Sequence, residues 1–449
     1  TFCCELSPGE SFFTPEAVLN YSGSGLNSMS QNFQTLYRRH LFPKSYAGKE
    51  RPILLNSWEG MYYDVSLEKI EEQSALARKL GMELFVLDDG WFRAGNDSRI
   101  SMGDWICNDK KLPGGIHAAA EIVRQNGLKF GLWFEPEAVS QKSGLYEKHP
   151  DWALHIPGYG LTEGRHEYLL DLTREDVRTY LKDMLDSYLR DGEIDYIKWD
   201  MNRPLTEVNS ALLPPEKKGE TFHRYILGLY DILEWLKTSY PDLLVEGCSS
   251  GGARFDPGML YYVSQNWASD NTDAFDRTLI QSGFSLIYPP EVIEAHVSIT
   301  PNHQTGRITP LDTRYQAARL FNLGYELDLT KCTEDEKEAI RRQTEEHKEE
   351  RSRLLDGTFF RHDVPNDNYV MWSAVTEDEC LAVVFQKFFN PLCSHGRFRL
   401  LGLSPDADYI DIKTGETYGG DELMQIGVTV PLMKEDFHTF VIHLKRSNG

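Results

Sequence analysis

The stretch YIKWDMNR, residues 196–203, is a short apolar run that ends in charge. Side chains on a strand alternate between its faces, so Lys198, Asp200 and Asn202 lie on one face and Trp199 on the other. An ammonium beside Asp200 would keep that carboxylate ionised, as a nucleophile requires. For this stretch alone, a structural ion pair at a strand end is the alternative.

Other apolar runs share this design, because each ends in a polar or acidic tip and most are followed by a helical pattern. Strands that alternate with helices form parallel βαβ units. Eight such units predict an α/β fold, a (β/α)8 TIM barrel with its active site at the C-terminal ends of the strands. The runs are 53–58, 84–88, 129–134, 168–172, 196–200, 243–247, 262–267 and 293–299, and the helical stretches include 67–80, 117–126, 175–189, 221–238 and 314–323.

The pattern divides the chain into three segments. We expect residues 1–50 to be the tail of an N-terminal β domain plus a connecting helix, and residues 51–355 to form the barrel. A heavily charged helix over 334–355 would close it, with its charges on a solvated face. From 356 to 449 short alternating runs are separated by Gly, Pro and Asp turns, which predicts a small antiparallel β-sandwich domain.

Charge and cysteine content narrow the possible partners and the compartment. The 449 residues include 47 Lys and Arg against 69 Asp and Glu, a formal net charge of −22. This disfavours nucleic acid and an anionic membrane surface and is compatible with a neutral substrate. Seven scattered cysteines, an odd number, indicate a reducing compartment, so we expect a cytoplasmic protein. No apolar run approaches the roughly 18 residues of a membrane span.

The first residues, TFCCE, lack the basic and apolar regions of a signal peptide. The chain also has no initiator Met and opens as if in mid-strand. We therefore expect it to be the later part of a longer protein.

Two carboxylates, Asp88 and Asp89, close the second run, and Gly90 permits the bend that brings both to one site. The two carboxylates can accept hydrogen bonds from vicinal hydroxyls of a sugar or coordinate a divalent metal ion. A turn with one capping Asp is the alternative. Tryptophans also recur at the predicted strand tips, where their faces could carry a pyranose ring; a single one is more often part of a core. They are Trp58, Trp91, Trp133 and Trp267.

The loop EGCSSGG, residues 246–252, follows the sixth run. Gly251 and its neighbours allow a ligand to approach the backbone closely. Cys248 has no adjacent His or basic residue, which makes it a weak candidate nucleophile. Arg165, before the fourth run, could pair with a site carboxylate or form a surface ion pair.

Asp270 lies in the loop after the seventh run, flanked by Trp267 and small polar residues. Partial burial there would raise its pKa, which a general acid needs. Asp273 is a competitor that the sequence leaves open. His303, in the polar loop after the eighth run, is interpreted as structural.

An ionised carboxylate beside Lys, with a second carboxylate opposite and tryptophans around, is typical of a glycosidase. A Mg²⁺-dependent barrel lyase or isomerase is the alternative from another class, and it would gather Asp88, Glu135 and Asp200 around a metal. Lys198 argues against it, because it already supplies positive charge. A sugar-binding protein without turnover would lack one catalytic carboxylate, and both are present.

Six ordered motifs between residues 52 and 307 resemble glycoside hydrolase family 36, specifically its bacterial α-galactosidases. These motifs are LDDGW (87–91), GLWFEPE (131–137), KWDMN (198–202), CSSGG (248–252), WASDNTD (267–273) and PNHQ (301–304). The resemblance implies a retaining exo-α-galactosidase acting on terminal α-galactosyl residues of melibiose- and raffinose-type oligosaccharides, with no metal or cofactor.

The resemblance also implies a role for each matched position. Asp200 would be the nucleophile and Asp270 the acid/base. The remaining positions would bind galactose: Asp88 and Asp89 at its 4- and 6-hydroxyls, Trp58 and Trp133 along its ring, Cys248 and Gly251 near its 2-hydroxyl, and Lys198, Arg165, Asn202 and Trp267 as further contacts.

Family members usually carry a large β-sandwich domain before the barrel, which helps to build tetramers. We expect the full-length protein to be a homo-oligomer of this kind. The family also contains α-N-acetylgalactosaminidases and transglycosylases, and the small loop 248–252 argues modestly against room for an N-acetyl group.

Overall fold

A computed structural model of the chain describes residues 2–92, 100–207, 209–392 and 396–447. Eight strands close a barrel in the order β1-β10-β9-β8-β7-β6-β3-β2. This confirms the predicted fold class. The barrel strands are β1 (Leu54–Asn56), β2 (Leu84–Leu87), β3 (Lys129–Phe134), β6 (Tyr196–Trp199), β7 (Leu244–Gly247), β8 (Gln265–Trp267), β9 (Ile293–Ser298) and β10 (Asn322–Glu326).

Two of the predicted elements are wrong, although the count of eight holds. The run 168–172 contributes β5 (Glu167–Leu169), which pairs antiparallel with β4 (Ala138–Ser140) outside the barrel. The eighth barrel strand is instead β10, whose first residues were assigned to a helix over 314–323. A short apolar run fits a buried strand and a buried helix equally well, so periodicity alone could not separate them.

Helices fill most of the connections between the barrel strands, one helix precedes the barrel and the last lies in the C-terminal antiparallel region. Their bounds are α1 (Gly25–His40), α2 (Trp58–Met61), α3 (Leu67–Lys79), α4 (Gly115–Gln125), α5 (Gly144–Lys148), α6 (Glu175–Leu189), α7 (Thr221–Ser239), α8 (Pro257–Leu260), α9 (Ala274–Phe284), α10 (Leu311–Arg319), α11 (Glu334–Asp356) and α12 (Gly420–Gln425). None of the described helices is long and apolar enough to cross a membrane.

The chain forms two compact units. The first contains residues 2–19, 56–78 and the described part of 83–264. Its strands β2, β3, β6 and β7 are parallel neighbours, and all four residues of β2 are buried, as expected for a sheet covered on both faces. A Cβ on Gly228 of α7 would collide with the carbonyl oxygen of Leu172, so glycine lets this helix pack closely.

The second unit contains residues 20–55, 79–82 and the described part of 265–449. Helix α11 begins with a capping box between Thr333 and Glu336. Ile340, Thr344 and His347 lie on its buried face together with Glu350, which pairs with Arg319, so most but not all of its charged residues lie outward.

After α11 the chain becomes antiparallel. A six-stranded sheet has the order β11-β12-β13-β18-β15-β16, and β14 pairs with β17. Both sheets contribute to one apolar core that includes Val384, Phe398 and Val428. The strands are β11 (Thr358–Arg361), β12 (Tyr369–Val375), β13 (Glu379–Gln386), β14 (Gly396–Phe398), β15 (Asp408–Asp411), β16 (Thr417–Gly419), β17 (Val428–Val430) and β18 (His438–Arg446).

The predicted division into 1–50, 51–355 and 356–449 stays a prediction. Helix becomes antiparallel strand between Asp356 and Thr358. Residues 2–24 contain no strand, so the expected remnants of a β domain are not present as strands in that segment.

Candidate active site

Asp200 follows the last residue of β6 and is only 6% exposed. Its Oδ1 accepts a hydrogen bond from the backbone N–H of Met201 (2.8 Å). Its Oδ2 accepts from Nδ2 of Asn202 (2.6 Å) and from the indole Nε1 of Trp133 (3.3 Å). Three donors therefore hold this carboxylate in one orientation at the carboxyl end of a barrel strand.

Lys198 forms an ion pair with Asp88, a partner that the sequence did not indicate. Its Nζ lies 2.8 Å from Oδ2 of Asp88, and both side chains are buried. Asn56 Nδ2 donates to the same oxygen (2.8 Å). Lys198 lies on the predicted face of β6, but the register of β6, β3 and β2 brings its ammonium to Asp88.

Asp89 is 4% exposed, and its backbone N–H donates to Oδ1 of Asp88 (2.8 Å). Gly90 has a φ of 120°, and a Cβ there would lie 3.2 Å from the Cα of Tyr63. The bend predicted at this glycine is therefore present and needs glycine.

Asn202 joins three parts of the site. Its backbone N–H and Nδ2 donate to the two carboxylate oxygens of Glu135 (2.5 and 2.9 Å). Its Oδ1 accepts from the backbone N–H and the hydroxyl of Ser250 (3.1 and 3.0 Å). Because Nδ2 also donates to Asp200, Asn202 ties the carboxylate of Asp200 to β3 and to the loop after β7.

Glu135 is a site residue that sequence reasoning considered only as a metal ligand. Its side chain is completely buried at the end of β3. Burial, followed by the negative charges of Glu167 and Asp200, raises the pKa of Glu135 well above its usual range. The signal in the sequence was the Glu-Pro-Glu run after a strand.

Arg165 lies in a turn before β5, where it and His166 have φ values of 52° and 67°. Partial burial of the guanidinium lowers the pKa of Arg165, but the charges of Glu135, Glu167 and Asp200 outweigh this effect and raise it. The residue is solvent-exposed, yet it lies within the electrostatic reach of these carboxylates.

Glu137 forms a second buried cluster that the sequence did not reveal. It is fully buried and accepts from Nε1 of Trp199 (2.9 Å) and from the hydroxyl of Tyr225 (2.7 Å). The guanidinium of Arg254 donates to both of its oxygens (3.1 and 2.8 Å). This cluster supports the outer face of β6, on the side opposite Lys198 and Asp200.

The four tryptophans of the predicted platforms differ in exposure. Trp91 is completely buried, and its Nε1 donates to the backbone carbonyl of Trp133 (3.0 Å). Trp133 and Trp267 are 2% and 3% exposed and present N–H edges to carboxylates. Trp58 is partly exposed, with Tyr62 and Tyr63 against its ring, and it alone of the four fits a platform.

The loop after β7 is built from tight turns. The backbone N–H of Cys248 donates to the carbonyl of Trp199 (2.8 Å), and the hydroxyl of Ser249 donates to the carbonyl of Met201 (2.9 Å). Gly251 has a φ of 85°. Cys248 is 4% exposed, so the loop offers backbone and small side chains rather than a reactive thiol.

In the second unit, Asp270 follows β8 and accepts a hydrogen bond from Nε1 of Trp267 (3.1 Å). Asp270 is exposed, which contradicts the partial burial expected for it. Asp273, the competitor, is 1% exposed and caps α9 by accepting from the N–H groups of Phe275 and Asp276 (both 3.0 Å). It also pairs with Arg307. Its carboxylate is therefore used in structural bonds, and Asp270 is the better candidate.

The three carboxylates required by the metal-dependent alternative, Asp88, Glu135 and Asp200, each accept hydrogen bonds from N–H donors. Within the described ranges, no group of three or more His, Cys, Asp or Glu side chains is placed to hold a metal ion.

Family models match almost the whole chain. The melibiase model matches residues 11–357, and the model of the glycosyl hydrolase family 36 C-terminal domain matches residues 369–444. The chain belongs to the melibiase family. The resemblance drawn from the six sequence motifs is thereby confirmed.

Several members of the melibiase family are close in sequence. The α-galactosidase AgaA of Geobacillus stearothermophilus is 48% identical over 443 residues, which cover 98% of this chain and 61% of the relative. The α-galactosidase Mel36A of Lactobacillus acidophilus is 44% identical, over 100% of this chain and 61% of the relative. The chain thus spans about three-fifths of the length of these relatives.

Solved structures of the family have the same fold. The crystal structure of AgaA matches with a TM-score of 0.93 at 47% identity, covering 95% of this chain and 60% of that one. A variant of AgaA in complex with stachyose matches with a TM-score of 0.96 at 47% identity, covering 98% and 62%.

Proposed function

We propose that the protein is a retaining exo-α-galactosidase that hydrolyses terminal α-galactosyl residues of raffinose- and melibiose-type oligosaccharides. The observation that carries this proposal is the buried, triply hydrogen-bonded Asp200 at the end of β6 in a chain of the melibiase family. The similar proteins are α-galactosidases, and AgaA variants have been crystallised with raffinose and with stachyose.

In the proposed reaction, Asp200 attacks the anomeric carbon while Asp270 donates a proton to the departing glycosidic oxygen. Water then attacks the glycosyl ester, giving its proton to Asp270 and releasing Asp200. Both residues follow carboxyl ends of barrel strands, where the active sites of such barrels lie. The double displacement requires carboxyl groups about 5–5.5 Å apart.

The polar groups around Asp200 define the proposed galactose site. We assign Asp89 and the Lys198–Asp88 pair to the 4- and 6-hydroxyls, and Cys248 and Gly251 to the 2-hydroxyl. Trp58 would lie along the ring, while the N–H edges of Trp133 and Trp267 orient Asp200 and Asp270. Arg165 and Asn202 complete the set by orienting the carboxylates. The proposed chemistry needs no metal or cofactor, because the two aspartates supply nucleophile, acid and base.

A panel of aryl glycosides tests the proposal. The full-length protein should hydrolyse the aryl α-galactoside, and proton NMR should show the α-anomer of galactose as the first product. Greater activity on the α-N-acetylgalactosaminide, or β-galactose as the first product, would overturn the assignment. Transfer of galactose to added sugar in preference to water would identify a transglycosylase.

We also propose a cytoplasmic homotetramer for the full-length protein. The cysteines at positions 3, 4, 107, 248, 332 and 380 are not disulfide-bonded, in keeping with a reducing compartment. Light scattering on the full-length protein tests the tetramer, and cell fractionation tests the compartment.

A further inference from the structure

Asp270 is an exposed side chain in the loop between β8 and α9. A general acid must be held within hydrogen-bonding reach of the leaving oxygen, and a displacement of about 1 Å can cost about 100-fold in rate. An exposed carboxylate on a loop needs a device that restricts its position. The surroundings of Trp267, which donates to Oδ1 of Asp270, provide one.

Two buried basic side chains pack against the Trp267 ring. The guanidinium carbon of Arg277 lies 4.3 Å from the ring centroid, and the centroid of the His296 ring lies 4.4 Å from it. Arg277 is 2% and His296 7% exposed. Cations over an indole ring are attracted to its π-electrons, and the attraction is larger when water is excluded.

His296 is fixed by a carboxylate at each nitrogen. Its Nδ1 lies 2.8 Å from Oε2 of Glu326, and its Nε2 lies 3.1 Å from Oε1 of Glu294. Ionised carboxylates only accept hydrogen bonds, so the ring meets both of them when each nitrogen carries a proton. Gly324, its neighbour on β10, leaves the space that the ring occupies.

Arg277 also fixes the backbone immediately before Asp270. Its Nη1 donates to the carbonyl of Ser269 (3.1 Å), and its Nη2 donates to the carbonyl of Glu294 (2.6 Å). The guanidinium of Arg277 therefore contacts both the ring of Trp267 and the backbone carbonyl of Ser269, and both residues precede Asp270 in the chain.

We propose that Arg277 and His296, the latter clamped between Glu294 and Glu326, are positioning residues that aim the N–H of Trp267 at Asp270 and so hold the acid/base in place. The inference rests on the proposed function, because it needs Asp270 to act on the leaving group. Neither Arg277 nor His296 touches substrate in this account; both act through Trp267 and Ser269.

The test measures how the rate depends on the leaving group. Trp267→Phe keeps a ring against Arg277 and His296 but removes the N–H, and Arg277→Lys keeps the charge but loses the planar fork that spans the two carbonyls. We expect both to lower kcat/KM on raffinose by about 10- to 100-fold while changing it less than about threefold on a dinitrophenyl α-galactoside, which needs little protonation. Trp235→Phe, in α7, is the matched tryptophan control and should change neither rate.

Equal losses on both substrates, or no loss on either, would overturn the positioning role. Failure of the proposed function gives a different result. The difference between raffinose and the dinitrophenyl α-galactoside would then be absent from the wild-type protein and from Asp270→Ala. If Trp267→Phe does not fold, NMR spectra of the ¹⁵N-labelled indole groups provide the test instead. Asp270→Asn should then shift one indole N–H resonance, and an unchanged spectrum would refute the proposal.

Discussion

Arg254→Met should destabilise the protein strongly, because it leaves the carboxylate of Glu137 buried without its ion-pair partner. Methionine replaces much of the apolar stem of Arg254 but none of its donors. Glu137 is 0% exposed and would retain only the indole of Trp199 and the hydroxyl of Tyr225 as its recorded donors.

The expected size follows from this geometry. Removing one partner of a buried ion pair costs about 3–5 kcal/mol. Since Trp199 and Tyr225 still bind Glu137, we take the lower end, about 3 kcal/mol. At about 2.1 cal/mol/K per residue, the 449 residues unfold with an entropy of roughly 0.9 kcal/mol/K, so the melting temperature should fall by roughly 3 °C.

Urea unfolding followed by circular dichroism measures the loss, and a double variant separates its causes. Glu137→Gln combined with Arg254→Met removes the buried charge altogether, so it should recover part of the stability lost by Arg254→Met. A loss below about 1 kcal/mol for Arg254→Met, or a double variant less stable than either single one, would show that the buried charge is not the cause.

Three further predictions concern activity and pH. Asp200→Ala should keep the wild-type circular dichroism spectrum and lose turnover; more than about a thousandth of the wild-type rate would reject the nucleophile assignment. Dialysis against EDTA should leave α-galactoside hydrolysis unchanged, whereas a metal-dependent lyase or isomerase would be inactivated. Burial lowers the pKa of His362 from 6.5 to about 4. The unfolded chain therefore takes up this proton first as pH falls, and stability should decline between pH 6.5 and 4. Thermal melts of His362→Asn should show a shallower decline than wild type; equal slopes would exclude this histidine as the source.

The local sequence predicted which strands end in charged residues, but it did not predict which charged side chains form ion pairs. The alternation of Tyr196 to Asn202 correctly placed Lys198 and Asp200 on one face of β6. The partner of Lys198 depends on how β6, β3 and β2 align, and that register is a property of three separated segments. No pattern within the KWDMN stretch contains it.

The tryptophans show a second limit of sequence reasoning. A Trp at the end of a strand can place its ring face against a ligand or donate its indole N–H to a neighbouring residue. The two arrangements have the same residue spacing, so the sequence does not distinguish them. Trp133 and Trp267 donate their N–H groups to carboxylates, while Phe92 stacks on the Trp133 ring and Arg277 lies over the Trp267 ring. Burial of Asp270 was mispredicted for the same reason, since exposure depends on distant parts of the chain.

The seam that closes the barrel also has a consequence for how the protein is made. Leu54 of β1 pairs with Gly324 of β10, a partner 270 residues later in the chain. At about 5–20 residues per second, the ribosome needs roughly 14–54 s to deliver that partner. Throughout this time one edge of β1 presents unpaired backbone groups to other nascent chains. This edge must therefore be kept from pairing with other chains until β10 has been synthesised.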